Sequence, residues 1–396
     1  MAENISESIA DRLTIRAVQL LKLSASMQAM LRKSLKALEQ DLVAKIARID
    51  VTGVSATAYQ QARLKALLKQ TKLLIDSAYK KQIAVDFQNE LKEVAGEQSR
   101  FILDAINKSV GVDLATVALS PETIREIAKN TLIQGAQSSQ WWAQQAPRLQ
   151  QRFAAQIRQG MLSGETIDQM IRRIRGTAAR GFKDGIMQAA RHEAEALVRT
   201  SVMQVSNEAY NAMYQANDDI VKGYTQLSTL DSRTTLICIS YSGKSWKLDG
   251  TPIGHKLPFK GGPPRHFSCR SVLLPLLRSW EELSHKGAIR TGTEKGGGRP
   301  TSITRFFNQR LKEKGFSDVE IGQIKAGTRA SMDGQVAGDI TFSSWLRKKE
   351  KSEPGFVAGL LGKGKADLWK RGQITLEDLL DQRGNPLTLA ELKGNA

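Results

Sequence analysis

Between Leu230 and Pro275 the chain abandons the pattern it follows almost everywhere else. The run LDSRTTLICISYSGKSWKLDGTPIGHKLPFKGGPPRHFSCRSVLLP holds both cysteines of the protein, Cys238 and Cys269, and two of its four histidines, His255 and His266. Polar turn residues, a Gly-Gly-Pro-Pro break at 261–264 and short β-leaning segments replace helical periodicity there;. Buried backbone in such a run must find hydrogen-bond partners. The sequence therefore predicts a small, constrained β-containing insert at 224–276, held by side chains outside it. Gly243-Lys244 reads as a hairpin turn, and Gly261–Pro264 as a rigid loop that sets up His266.

The residues around this run are helical in character, which makes the expected fold class mainly α. In the first hundred residues Leu20, Met27, Leu31, Leu35, Leu38, Leu42, Ile46 and Ile49 recur at steps of three, four or seven and line one face of a long helix;. A break at 50–55 precedes a second periodic stretch that runs to about Phe101, so two long antiparallel helices form an N-terminal arm over 1–115. Two partners are open for its apolar stripe: another protein of an assembly, or the domain that follows. That domain spans 116–285. Ser120-Pro-Glu-Thr123 supplies an N-cap and a proline at the first helical position, with Gly135 after the last periodic residue;. A Gly-rich basic stretch at 286–305 reads as a flexible linker, and 306–396 as a small basic helical module in which Thr375–Asp378 opens a short capped helix and Thr388–Glu391 a further capped turn;.

Charge narrows the choice of partner. The chain carries 58 Lys and Arg against 40 Asp and Glu, a net charge of +18, which suits a polyanion such as nucleic acid;. Arg148, Arg152, Arg158, Arg172, Arg173, Arg175 and Arg180 form its densest arginine region. Guanidinium forks match phosphate oxygens, so these seven are the candidates for sequence-independent contact with the double-stranded DNA backbone. Partial pairing with Glu165, Asp168 and Asp184 on a solvated face is the competing use. The start of the chain lacks a cationic leader followed by an apolar block, and no apolar run approaches the ~20 residues that cross a bilayer, so folding in a reducing cytoplasm is expected;.

Cys238, His266 and Cys269 are zinc-type ligands, and His-x-x-Cys is a workable spacing for one turn. Structural zinc takes four protein ligands. His255 is the remaining histidine of the run, but no spacing rule ties it to the other three. Sequence alone thus favours two buried thiols without a cofactor over a structural zinc site, and places a catalytic zinc last for want of a nearby glutamate base. Asp231 and Arg233 read as an ion pair that fixes a turn. On the preceding helix Arg199, Thr200 and Asn207 are positioned to brace the insert. A catalytic use of His192 and Glu193 is the weaker reading, since no phosphate-binding glycine loop, Gly-x-Ser-x-Gly or His-Glu-x-x-His is present;.

Asp231-Ser-Arg-Thr234, Cys238, Gly243-Lys244 with Trp246, and Pro263-Pro264-Arg-His266-Phe-Ser-Cys269-Arg270 together resemble the signature of the phage Mu F-like head-morphogenesis (minor capsid) family. Arg199-Thr200 and Asn207 resemble the family's upstream Arg-Thr…Asn segment, and Trp345-Leu346, Leu361-Gly362, Leu368-Trp369, Gly372 and Pro386–Leu389 a tail that often follows it. Thr235 and Ser271 stand where the family pattern has further cysteines. With those two cysteines the run would look like a zinc knuckle; without them three ligands remain. The resemblance implies a non-enzymatic virion structural protein at the portal or in the capsid interior, with the portal or major capsid protein and packaged DNA as partners. A rival from another class is a virion-borne nuclease or nucleotide-modifying transferase built on His192, Arg199, Asp231 and His266.

Overall fold

A computed structural model of the chain describes residues 2–48, 58–110, 115, 117–229, 233–278, 317, 319, 342–381 and 386–395. The fold is mainly α, with one two-stranded hairpin and one four-stranded sheet among these residues. The linker at 286–305, almost all of 306–341, and Asp231 lie outside the described residues.

Helix α1 (Ala2–Ala47) is built on its apolar stripe: Leu20, Leu23, Met27, Leu31, Leu35, Leu38, Leu42 and Ile46 are all buried. Steps of three and four keep those side chains on one face of a helix with 3.6 residues per turn. Helix α2 (Ala58–Asp76) continues through a π-helical turn (Ser77–Ile83) into α3 (Ala84–Val110), and the turn carries Tyr79 inward to within 6.3 Å of the Trp142 ring. Helices α1 and α3 run antiparallel. Arg16 Nε donates to Gln98 Oε1 at 2.9 Å, while Met30 and Leu31 line one cavity with Ile83 and Phe87 further along.

The stripe on α1 finds its partner within the chain. Its residues share one hydrophobic core with Ala194, Leu197, Val198, Val202, Met203 and Val205 of α7 (Ile186–Ala216) and with Trp142, Leu149, Phe153 and Ile157 of α5 (Ser138–Leu162). Charge also clamps the contact. The buried carboxylate of Glu39 takes Arg191 of α7 and, at 3.3 Å, Arg175 of α6 (Ile167–Arg175).

Ser120 Oγ accepts from Thr123 N at 3.1 Å and opens α4 (Pro121–Asn130), the cap expected from sequence. Gly135 serves a different purpose from the helix stop expected of it. Helix α4 ends at Asn130, and Gln134 and Gly135, with φ of 49° and 89°, form the tight turn between β1 (Leu132–Ile133) and β2 (Ala136–Gln137). Two consecutive positive φ values suit a two-residue hairpin, which an apolar periodicity count cannot distinguish from a helix end.

The insert folds as an antiparallel sheet in the order β5-β4-β3-β6, from β3 (Val221–Leu227), β4 (Ser245–Lys247), β5 (Pro252–Ile253) and β6 (Val272–Leu277). A Cβ at Gly223 in β3 would lie 2.1 Å from Trp246 O, so the central strand admits only glycine there. A short helix, α8 (Leu236–Tyr241), interrupts the path from β3 to β4. Gly243-Lys244 therefore joins a helix to a strand and is not a hairpin turn. The hairpin lies one step later, where Gly250 N donates to Lys247 O at 2.9 Å between β4 and β5.

The C-terminal helices Phe342–Ser352, Phe356–Leu361, Lys363–Lys370 and Leu389–Asn395 enclose a separate core around Phe342, Leu346 and Trp369. Ile239 of α8 belongs to that core, so the module packs directly on the insert. Thr375 N bonds Asp378 Oδ2 at 2.7 Å in a capped turn with no helix after it, whereas Thr388 and Glu391 cap the last helix.

If the α1 stripe is core, Leu35→Ala should cost about 2 to 5 kcal/mol in urea unfolding. Arg32→Ala, which removes a solvent-exposed pair with Glu195, should cost about 1 kcal/mol or less;. Near-neutral behaviour of Leu35→Ala would show that the stripe packs elsewhere.

Candidate functional site

The insert brings its two cysteines and one of its histidines together. Helix α8 presents Cys238; the segment after Pro263-Pro264 presents His266 and Cys269 from one turn, closed by a hydrogen bond from Cys269 N to His266 O at 3.1 Å. Ser268, at φ 62°, occupies the left-handed region inside that turn. Cys238 Sγ lies 3.4 Å from Cys269 Sγ and 3.3 Å from His266 Nε2, and the three ligand atoms all fall within 4.8 Å of one another. Both thiols are free and buried, while His266 is half-buried. His266 Nδ1 stands 2.9 Å from Phe267 O. A carbonyl only accepts, so Nδ1 carries a proton and Nε2 is the ring nitrogen that faces the sulfurs.

The two positions that depart from the family pattern lie at the same cluster. Thr235 and Ser271 hydroxyls both reach the Cys238 sulfur, and Ser271 also meets Cys269 through its side chain and backbone. Ser271 Oγ donates to Ser228 Oγ at 3.0 Å, and Ser228 Oγ donates to Cys238 O at 2.8 Å. Hydrogen bonds from Cys238, then His266 and Ser271, hold the Cys269 thiol well below its ordinary pKa despite burial. Cys238, as donor to Cys269 and buried, is pushed well above it. The buried guanidinium of Arg265 stands nearby, 3.6 Å over the Tyr241 ring with its Nε on Gln226 Oε1 at 2.8 Å; burial lowers its pKa, and Tyr241 and the two sulfurs oppose that.

His255 is elsewhere. Its Nε2 donates to Ser245 O at 2.7 Å, its Nδ1 accepts from Leu257 N at 3.2 Å, and its ring meets the Trp246 ring edge-on at 4.9 Å. It braces the β4 region and does not join the cysteines.

Helix α7 holds the insert by a polar row. Thr200 Oγ1 accepts from Ser268 N at 3.0 Å. Asn207 Oδ1 accepts from Leu273 N at 3.0 Å, and its Nδ2 donates to Ser271 O at 3.4 Å and to Met203 O at 2.9 Å. Tyr214 OH donates to Leu273 O at 2.9 Å. Sequence reasoning named Thr200 and Asn207 but missed Tyr214. The signal was present: 200, 207 and 214 are seven apart, a step of two turns that keeps them on one face.

Arg199, beside this row, is partly buried. Burial and the like charges of Arg270 and Arg233 lower its pKa, with only Glu195 acting against them. Arg233 is exposed, and Asp231, the other half of the pair expected there, lies outside the described residues. The Arg148–Arg180 group divides. Arg152 pairs with Glu193 at 2.5 Å, and Arg173 grips Glu165 at 2.6 and 2.5 Å and Gln156 at 2.8 Å, so both serve the fold. Arg148, Arg158, Arg172, Arg175 and Arg180 are exposed, and Arg172, Arg175 and Arg180 line one depression with Asp168 and Phe182 around a 3-10 turn (Ala178–Arg180). Glu193, tied to Arg152, is not paired with His192, whose Nε2 instead faces Gln188 Nε2 at 2.8 Å.

Asn207→Ala would strand the Leu273 N–H and the Ser271 carbonyl in the interior and should cost about 2 to 4 kcal/mol, against about 1 kcal/mol or less for the exposed Gln215→Ala;. Thermal or urea unfolding of the two variants checks this; equal losses would remove the brace from the account.

The model of the family described as Phage Mu protein F like protein matches residues 151–274, from within α5 to within β6. No curated protein and no solved structure matches the chain. The matched segment contains the whole of α7, the cysteine and histidine cluster, and all three rungs of the row at 200, 207 and 214. Over that segment, which leaves the first 150 residues and the C-terminal module outside it, the chain is similar to the family described as Phage Mu protein F like protein.

Proposed function

We propose that this chain is a phage head-morphogenesis protein that works at the portal or on the capsid interior, with the portal or major capsid protein as its assembly partner. In that position it holds packaged double-stranded DNA through the phosphate backbone. The observation that carries the DNA contact is that Arg172 and Arg180 share one exposed depression, beside Arg175, which is paired with Glu39, on a chain with a net charge of +18. Arginine forks on an exposed face bind phosphate oxygens without reading bases, which is the kind of contact that DNA of any sequence inside a head requires. Arg148 and Arg158 add positive charge on α5, whereas Arg152 and Arg173 are excluded by their carboxylate partners.

Fluorescence anisotropy with the full chain and unrelated duplexes tests the reading. Affinity should be the same for each sequence and fall steeply with salt, because each neutralised phosphate contributes about 0.9 to the slope of log K against log salt. Arg172→Gln with Arg180→Gln should flatten that slope by roughly 2. Arg173→Gln should lower stability and leave the slope alone. A salt-independent affinity, or a strong preference for one sequence, would overturn the phosphate-backbone reading.

A further inference from the structure

Cys238, His266 and Cys269 arrive from two separate segments, yet their ligand atoms meet at 3.3 to 3.4 Å around Cys238 Sγ. Two sulfurs at that distance are not bonded, since a disulfide needs about 2.05 Å. Around a tetrahedral zinc ion, with Zn–S near 2.3 Å and Zn–N near 2.05 Å, neighbouring ligand atoms stand about 3.5 to 3.8 Å apart. The observed spacings are a few tenths of an ångström below that, within reach of small side-chain adjustments.

A second observation is independent of the distances. His266 donates Nδ1–H to the backbone carbonyl of Phe267, the outer hydrogen bond that fixes a ligating imidazole with its Nε2 lone pair facing the ion;. The same orientation also serves the 3.3 Å contact between Nε2 and Cys238 Sγ. The fourth corner also has an oxygen available, because the Ser271 hydroxyl adjoins both sulfurs. Half-buried His266 leaves a route for the ion to enter.

We propose that Cys238, His266 and Cys269 bind one zinc ion, with the Ser271 hydroxyl or a water at the fourth position. Two thiolates balance the charge of the ion, so no net charge is added to the interior. The site is structural and ties two bodies together. Helix α8 carries Cys238 on one side; on the other, Ile239 enters the C-terminal core and Ser240 Oγ donates to Leu376 O at 2.5 Å. The His266–Cys269 turn is pinned to α7 through Thr200. Zinc would thus fasten the C-terminal module, by way of α8, to the long helix.

The test uses the full chain purified without an affinity tag. Elemental analysis should find one zinc per chain, and cobalt(II) put in its place should give tetrahedral d–d bands with sulfur-to-cobalt charge transfer. Ser271→Cys should tighten zinc, and His266→Asn should weaken it, each by about tenfold or more in chelator competition, since ligand number sets affinity. Both variants leave the buried thiols in place, so they remain informative if Cys238→Ala or Cys269→Ala does not fold. Chelation should increase proteolytic cleavage between the insert and the module. Metal well below one equivalent, a Cys238–Cys269 disulfide in the metal-free protein, an octahedral cobalt spectrum, or unchanged affinity in Ser271→Cys and His266→Asn would each overturn the site.

Discussion

The interaction on which the insert depends is a row of three side chains on α7, Thr200, Asn207 and Tyr214, each bonded to insert backbone. A sheet of short strands with an interrupting helix cannot satisfy all of its own buried N–H and C=O groups. Without a partner, Ser268 N, Leu273 N, Leu273 O and Ser271 O would each lie at the α7 boundary unsatisfied. The long helix supplies those partners at two-turn intervals, in register with the edge of β6 and the cysteine-bearing turn.

That arrangement explains why the helix is long and why so much of the chain is spent supporting it. One face of α7 meets the insert; its apolar residues enter the core made by α1, α3 and α5, with Glu39 drawing Arg191 and Arg175 onto α1. The N-terminal helices thereby hold the scaffold, the scaffold positions the cluster, and α8 passes the position on to the C-terminal module through Ile239 and through Lys244 paired with Glu377. The exposed arginines around 172–180 lie at the start of the same helix, next to the α6 end that Glu39 anchors.

Much of this was legible in the sequence, for identifiable reasons. The α1 stripe was visible because burial on a helix imposes a 3.6 period, and the Ser120 and Thr388 caps because capping needs particular side chains at particular offsets. Thr200 and Asn207 stood out through their likeness to the family's upstream Arg-Thr…Asn segment, on a helix that carries many other polar residues. Other features were hidden. Gln134-Gly135 looked like a helix end because a two-residue turn leaves no period of its own, and α8 was read as part of a β hairpin because six residues are too few to show one. Arg152 and Arg173 resembled their neighbours until Glu193 and Glu165 were seen against them. Whether Cys238 meets His266 and Cys269, and which ring nitrogen faces it, depends on a chain reversal that no spacing rule reports.

Amide hydrogen exchange across residues 266–274 of the full chain tests the central claim most directly, since it reads the bonds that α7 makes to the insert. The account predicts that Ser268 and Leu273 exchange as slowly as the amides of α7 itself, and that Asn207→Ala releases Leu273 while α1 and α3 stay protected;. Exchange of that segment at the rate of an open loop in the unaltered protein would contradict it.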